Sequence, residues 1–287
     1  MPEKISRRDF LKGIAGISAA CSGFLLTAST TFAVQKYTKE DDDGEHFVFL
    51  RVKYRGGDWY TDVDIGRMYG SHTDISQSDI QLSRKLKQYT NIPVEIDNNE
   101  AQYITLNDPE IFSYPFLYIT GHRDLYLSDT EQSMLREYLG RGGFMLADDC
   151  LGFDYAFRRE IAKVFPDNPL KPIPTDHPVY RSFFQLRMPG NWDSYSGHDT
   201  YSPLFDTTIK YNYQSRRGLQ SNAVWGGDKQ VRPWHEGIFI DDRLALLYTM
   251  NDLGCAWEGH PCYPNGEAQR EWAFKMGVNI VVYALTH

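Results

Sequence analysis

Short apolar runs that stop abruptly at polar residues alternate with stretches whose apolar positions recur every three or four residues. Phe116–Thr120 and Phe144–Ala147 are aromatic or β-branched runs, ending at Gly121-His122-Arg123-Asp124 and Asp148-Asp149-Cys150. Between them Ser128 and Glu131 have the spacing of a capping box. Met134, Leu135, Tyr138 and Leu139 make one apolar face, and Gly142-Gly143 stops the helix. Strand, helix, strand at this spacing predicts a βαβ unit with parallel strands. In open parallel sheets ligands bind beyond the carboxyl ends of the strands, and both polar clusters fall there.

The alternation continues to either side. His46–Tyr54 predicts a first strand, closed by Arg55-Gly56-Gly57-Asp58-Trp59. Ser78 with Gln81 caps a helix striped by Ile80, Leu82, Leu86 and Tyr89; Pro93 ends it ahead of a short strand at Val94–Ile96. Tyr103–Leu106 reads as an edge strand. Phe157, Ile161, Val164 and Phe165 predict a helix over Phe153–Phe165, and Pro166–Pro178 reads as turns. Residues 187–235 show no regular pattern and carry Trp192, Tyr195, Tyr201, Trp225 and Trp234, the mark of a long insertion. Gly237–Ile240 and Leu244–Met250, joined through Asp241-Asp242-Arg243, predict a hairpin. Its second strand runs into Asn251-Asp252-Leu253-Gly254-Cys255-Ala256-Trp257-Glu258. A helix from Glu267 to Leu285, apolar on nearly every side, closes the chain. The expected class is α/β: a mainly parallel sheet with helices on both faces, residues 46–287 forming one domain with one aromatic-rich insertion.

Composition changes the picture at the N-terminus. Ser6-Arg7-Arg8-Asp9-Phe10-Leu11-Lys12 resembles the twin-arginine export motif, a weakly apolar run spans Gly13–Ala28, and Thr31-Phe32-Ala33 suits cleavage. Residues 1–33 are therefore expected to be a signal peptide, and 34–45 a charged linker. The folded protein would be delivered to the periplasm or another extracytoplasmic compartment. The chain carries a formal charge of −8, and losing residues 1–33 makes it more acidic still. That balance argues against nucleic acid or an anionic membrane as partner, and no other stretch is long and apolar enough to span a bilayer. Cleavage would remove Cys21 and leave Cys150, Cys255 and Cys262; the last two could close a small loop in an oxidising compartment. No C-x-x-C pair points to structural zinc or thioredoxin-like chemistry.

Four strand ends carry the candidate ligand residues: Arg55 and Asp58; His122 and Asp124; Asp148 and Asp149, with Arg158 on the helix that follows; and Asn251, Asp252, Trp257 and Glu258. Two consecutive acids after a strand can hold a cation, take sugar hydroxyls or exchange protons. Equally, one can cap the helix near Phe153 while the other pairs with Arg158 or Arg159. His122 is placed for a ligand, a general base or a structural hydrogen bond. Cys150, between strand and helix, is either a thiol activated by the helix N-terminus or a small buried residue.

The segments YPFLYITGH, GGFMLADDCLG, FRREIAKVFPD, DHPVY and NDLGCAWE resemble the bacterial domain-of-unknown-function family 4159 across nearly the whole mature chain. The resemblance implies a flavodoxin-like fold similar to class I glutamine amidotransferases, and brings no established activity. Those enzymes carry G-x-C-x-G; here Asp148-Asp149-Cys150-Leu151-Gly152 stands in its place. Their H-x-E is replaced by adjacent His235-Glu236, so glutamine hydrolysis is not expected. The leading expectation is a domain that binds a polar small molecule, a glycan or an envelope protein at the carboxyl edge of its sheet. One alternative is a hydrolase, using Cys150 with His122 or a divalent cation held by Asp148 and Asp149. The other is a non-catalytic scaffold of a cell-envelope complex. No cofactor is identified from the pattern beyond that possible divalent cation.

Overall fold

The computed structural model describes residues 46–57, 59, 78–96, 102–122, 124–149, 153–186, 235–250, 252–258 and 267–287. Its strands are β1 (Arg51–Lys53), β2 (Tyr103–Thr105), β3 (Phe116–Gly121), β4 (Phe144–Asp149), β5 (Lys171–Pro172), β6 (Glu236–Ile240) and β7 (Arg243–Thr249). Its helices are α1 (Ser78–Tyr89), α2 (Asp129–Gly140), α3 (Asp154–Val164), α4 (Leu253–Glu258) and α5 (Glu267–Thr286). The strands form one sheet in the order β2-β1-β3-β4-β7-β6-β5. The first five in that order run parallel; β6 is antiparallel to β7, and β5 to β6. This is a flavodoxin-like α/β fold.

Period two along the strands divides the core in two. Phe116, Tyr118, Phe144 and Leu146 pack with α1, α4 and α5, whereas Leu117, Ile119, Met145 and Ala147 pack with α2 and α3. Strands covered on both faces read as unbroken apolar runs, as β3 and β4 do. Before β1, Phe47 and Phe49 join the first layer, Val48 and Leu50 the second.

Local chemistry sets the ends of the elements. Ser128 Oγ accepts the N–H of Glu131, whose carboxylate takes the N–H of Ser128 at 2.7 Å, completing the capping box of α2. Gly142, at φ 106, turns the chain out of that helix. Asp241 and Asp242, at φ 48 and 62, give the two left-handed residues a tight hairpin needs between β6 and β7. The long α5 is buried against α1 and α4, so closely that a Cβ on Gly277 would come within 2.7 Å of Leu82 and Trp257. Among the described residues no helix is long and apolar enough to cross a membrane.

Some expectations shift. Val94 makes a single parallel bridge to Phe47 instead of a strand. The proline-rich stretch contains β5, paired to β6 at the sheet edge. Leu253–Glu258 coils into α4 where a strand tail was expected. Ser78 is the first residue of α1, and its hydroxyl accepts Arg51 Nη2 at 2.8 Å, beside the buried ion pair of Arg51 with Asp79.

Candidate functional site

Because β1, β3, β4 and β7 are parallel, they deliver Arg55, His122 with Asp124, Asp148 with Asp149, and Asp252 toward one rim of the sheet. Asp58, Cys150 and Asn251 lie outside the described residues, as do residues 1–45, all of the expected insertion over 187–235 except His235, and Cys262.

Asp148 and Asp149 do not act as a pair. Neighbours on a strand point to opposite faces. Asp148 is fully buried on the face of α4, where its carboxylate accepts the N–H groups of Leu253 and Gly254, at 3.1 and 2.7 Å, and the hydroxyl of Tyr118 at 3.2 Å. Asp149 turns to the other face and accepts the N–H of Phe153, ahead of α3, at 2.8 Å. The expected joint grip of these two acids on one cation is therefore not formed: the carboxylates belong to different layers.

Several other candidates are also fixed inward. Trp257 is buried against Phe49 and Tyr118, and its indole N–H donates to the Ala273 carbonyl at 2.9 Å. Asp252, fully buried at φ 51, accepts the N–H of Cys255 at 3.3 Å, and Glu258 is buried on the same helix. Arg158 pairs with Asp154 at 2.6 Å and with Glu236, lies over the Tyr248 ring, and so ties α3 to β6. These side chains hold the rim together and do not face solvent as a ligand surface would.

Asp149 remains chemically distinctive. Burial, reinforced by the charge of Asp154, pushes its carboxyl up to about 7; the Phe153 N–H and the charge of His122 act the other way without cancelling it. His122 is half-buried one residue past the end of β3, whose Gly121 is in register with Asp149. A carboxyl that titrates near neutrality beside an imidazole can exchange protons. Asp124 is the reverse case: burial raises it, but hydrogen bonds from Tyr126 and from Arg159, at 2.8 Å, hold it below the usual carboxylate range.

The open space lies nearer the β2 edge. A cleft of about 430 Å³ is walled by Lys53, Tyr54 and Arg55 at the end of β1, Thr105 and Asn107 at the end of β2, and Ser128 and Glu131 at the start of α2. The Arg55 side chain is 69% exposed, and the described residue it meets is Glu131, at 3.5 Å. Lys53 Nζ sits 4.8 Å from the Tyr103 ring centre and 5.4 Å from that of Trp59. Tyr103 and Tyr126 are both about half exposed: the Tyr103 ring lies under Lys53, whereas Tyr126 pairs with Arg55 through its backbone and its ring lies under the Arg159 guanidinium. Sequence reasoning found Arg55 but gave Ser128 and Glu131 a capping role alone, and passed over Lys53, Thr105 and Asn107. The available signal was the lysine that interrupts the apolar run of β1 directly before the Arg55 cluster.

His235 and Glu236 diverge as strand neighbours must. His235 is fully buried over the Tyr180 ring, neither imidazole nitrogen has a hydrogen-bond partner among the described residues, and burial pushes it down to about 3. Glu236 faces Arg158 on the other layer. No His–Glu dyad is formed by this pair.

Fold and rim together define a flavodoxin-like α/β domain with a polar cleft at the carboxyl ends of its parallel strands. The chain belongs to the family described as Domain of unknown function (DUF4159), whose model matches residues 48–285. A comparison with curated proteins finds no match.

Proposed function

We propose that this is an exported ligand-binding domain that takes a polar, hydroxyl-bearing molecule, a free glycan or the glycan of an envelope partner, at the ends of β1 and β2. The supporting observation is the meeting in one open cleft of cationic, hydroxyl, amide and carboxylate side chains, with the half-exposed Tyr103 ring under one of them, Lys53. Sugars need this mixture, since their hydroxyls seek charged and amide partners while their C–H faces lie on aromatic rings. A cleft of about 430 Å³ is of the size that holds one or two sugar rings. The twin-arginine-like start of the chain supports delivery outside the cytoplasm.

The test is a saccharide screen followed by amide chemical-shift mapping. Perturbations should centre on Lys53, Arg55, Thr105 and Asn107 and vanish in Arg55→Ala. Binding that leaves these residues unmoved refutes the reading. Export is tested by fractionation of cells expressing the full chain and an Arg7→Lys, Arg8→Lys variant, which should stay inside.

A second reading, hydrolysis with Asp149 and His122 exchanging the proton, is favoured by the near-neutral titration of Asp149. It expects a pH–rate limb near 7 that disappears in Asp149→Asn; a hydrolytic activity untouched by that change excludes it.

A further inference from the structure

The ligand class can be narrowed by counting what the protein itself does with the charges around this cleft. Lys53 and Arg55 reach it from alternate positions, the last residue of β1 and two residues beyond it. Lys53 rests on the π-faces of Tyr103 and Trp59 and makes no ion pair with a described residue. Arg55 presents five N–H donors, and its one side-chain contact among the described residues is a single long approach to Glu131, at 3.5 Å. Among the described residues, then, no other group takes up the donor capacity of either cation.

Glu131 does not neutralise them. Its carboxylate receives the N–H and hydroxyl of Ser128, at 2.7 and 2.6 Å, and stands at the positive end of α2. Its carboxylate is thus already held by the cap and offsets at most one of the two cations. Among the described residues the cleft therefore carries a local positive excess, on a chain of net charge −8. A polyanion would be repelled by such a chain as a whole, whereas a single anionic group on a small molecule is admitted at this one place.

The nature of the anion follows from which donors remain. One of the first-turn amides of α2, that of Glu131, is engaged by Ser128 Oγ, which leaves the helix end a poorer cradle for phosphate. What remains is a guanidinium fork beside an ammonium, which matches a carboxylate. Resting on the reading of this cleft as a saccharide site, we infer that it selects a sugar bearing a carboxylate. The acid group would sit between Arg55 and Lys53, the hydroxyls would bond to Thr105 and Asn107, and one ring face would lie on Tyr103.

The experiment is isothermal titration of the full chain with galacturonic acid and with its methyl ester, which keeps every ring hydroxyl and removes the charge. The acid should bind about ten-fold or more tightly than the ester at low salt. That preference should shrink in about 0.5 M NaCl, and also in Arg55→Gln and Lys53→Gln. Both substitutions lie at the surface of the cleft, and thermal melting checks that each variant is folded. Equal affinity for acid and ester overturns the carboxylate assignment and leaves the sugar site standing. Failure of the folded wild type to bind either overturns both. A preference that survives both substitutions moves the acid site elsewhere and also refutes the assignment.

Discussion

Asp149→Asn separates two physical roles for this residue by the sign of its effect. The carboxylate accepts the Phe153 N–H as α3 begins. If that contact and the charge near a helix start dominate, replacing it costs about 1 kcal/mol. If the burial that pushes the carboxyl from 3.8 up to about 7 dominates, the opposite follows. Between those pH values the folded protein holds a proton that the unfolded chain has released, so stability falls as pH rises through the window. The displacement corresponds to about 4 kcal/mol, a ceiling because the site relaxes around the charge. Asparagine still offers an oxygen to Phe153 but never ionises. The variant should therefore be more stable than the wild type at pH 8, by up to about 4 kcal/mol, and the gain should vanish as pH drops below 3.8. Urea unfolding followed by tryptophan fluorescence at several pH values reads this directly. Equal or lower stability of Asp149→Asn at pH 8 would show that the helix contact outweighs burial.

Three more outcomes follow from contacts described above. Asp148→Ala strands the amides of Leu253 and Gly254 and the Tyr118 hydroxyl, and should cost about 3–5 kcal/mol in urea unfolding, at 1–3 kcal/mol per orphaned donor with partial relaxation; a loss below about 1 kcal/mol argues against this anchoring. Gly121→Ala would put a Cβ 1.8 Å from Tyr54 Oη, and should destabilise by about 1–3 kcal/mol unless combined with Tyr54→Phe, which removes the clashing atom; a double variant no more stable than Gly121→Ala alone refutes the clash. The unfolded chain protonates His235 below its ordinary 6.5, while the buried ring resists until about 3, so stability should fall on acidification, by about 2 kcal/mol at pH 5 from this residue. His235→Phe, which keeps a ring over Tyr180, should flatten that part of the profile, and an unchanged slope between pH 6.5 and 5 counts against it.

The central βαβ unit was legible because several local signals agree. The runs of β3 and β4, the Ser128–Glu131 box and Gly142 each point to the same boundaries. The parallel strands also place their polar tails at a common rim, which the spacing alone suggested. The inward orientation of those tails was harder to read. That Asp148 and Asp149 take opposite faces follows from strand period, but that each meets backbone amides depends on α4 and α3, which arrive from elsewhere in the chain. Six residues are too few to show a helical period, so α4 read as a strand tail. A two-residue exposed edge carrying a proline gave no sign of β5. The cleft was least visible, because β1, β2 and α2 each contribute only two or three residues and none forms a motif alone.

The strand order carries a lesson about assembly. β4 occupies the middle of the finished sheet, yet its neighbour β7 pairs Met145 with Leu246, roughly a hundred residues further along the chain. While the polypeptide is still emerging from the ribosome, β4 is a bare margin with unmet amides and carbonyls, the kind of surface to which other chains adhere. Shortened products that stop before Arg243 should consequently clump, however well their first half is formed. A sheet sealed by its last strand tolerates loss from its tail poorly, and a cell making this protein depends on holding the nascent first half apart until the last segment arrives.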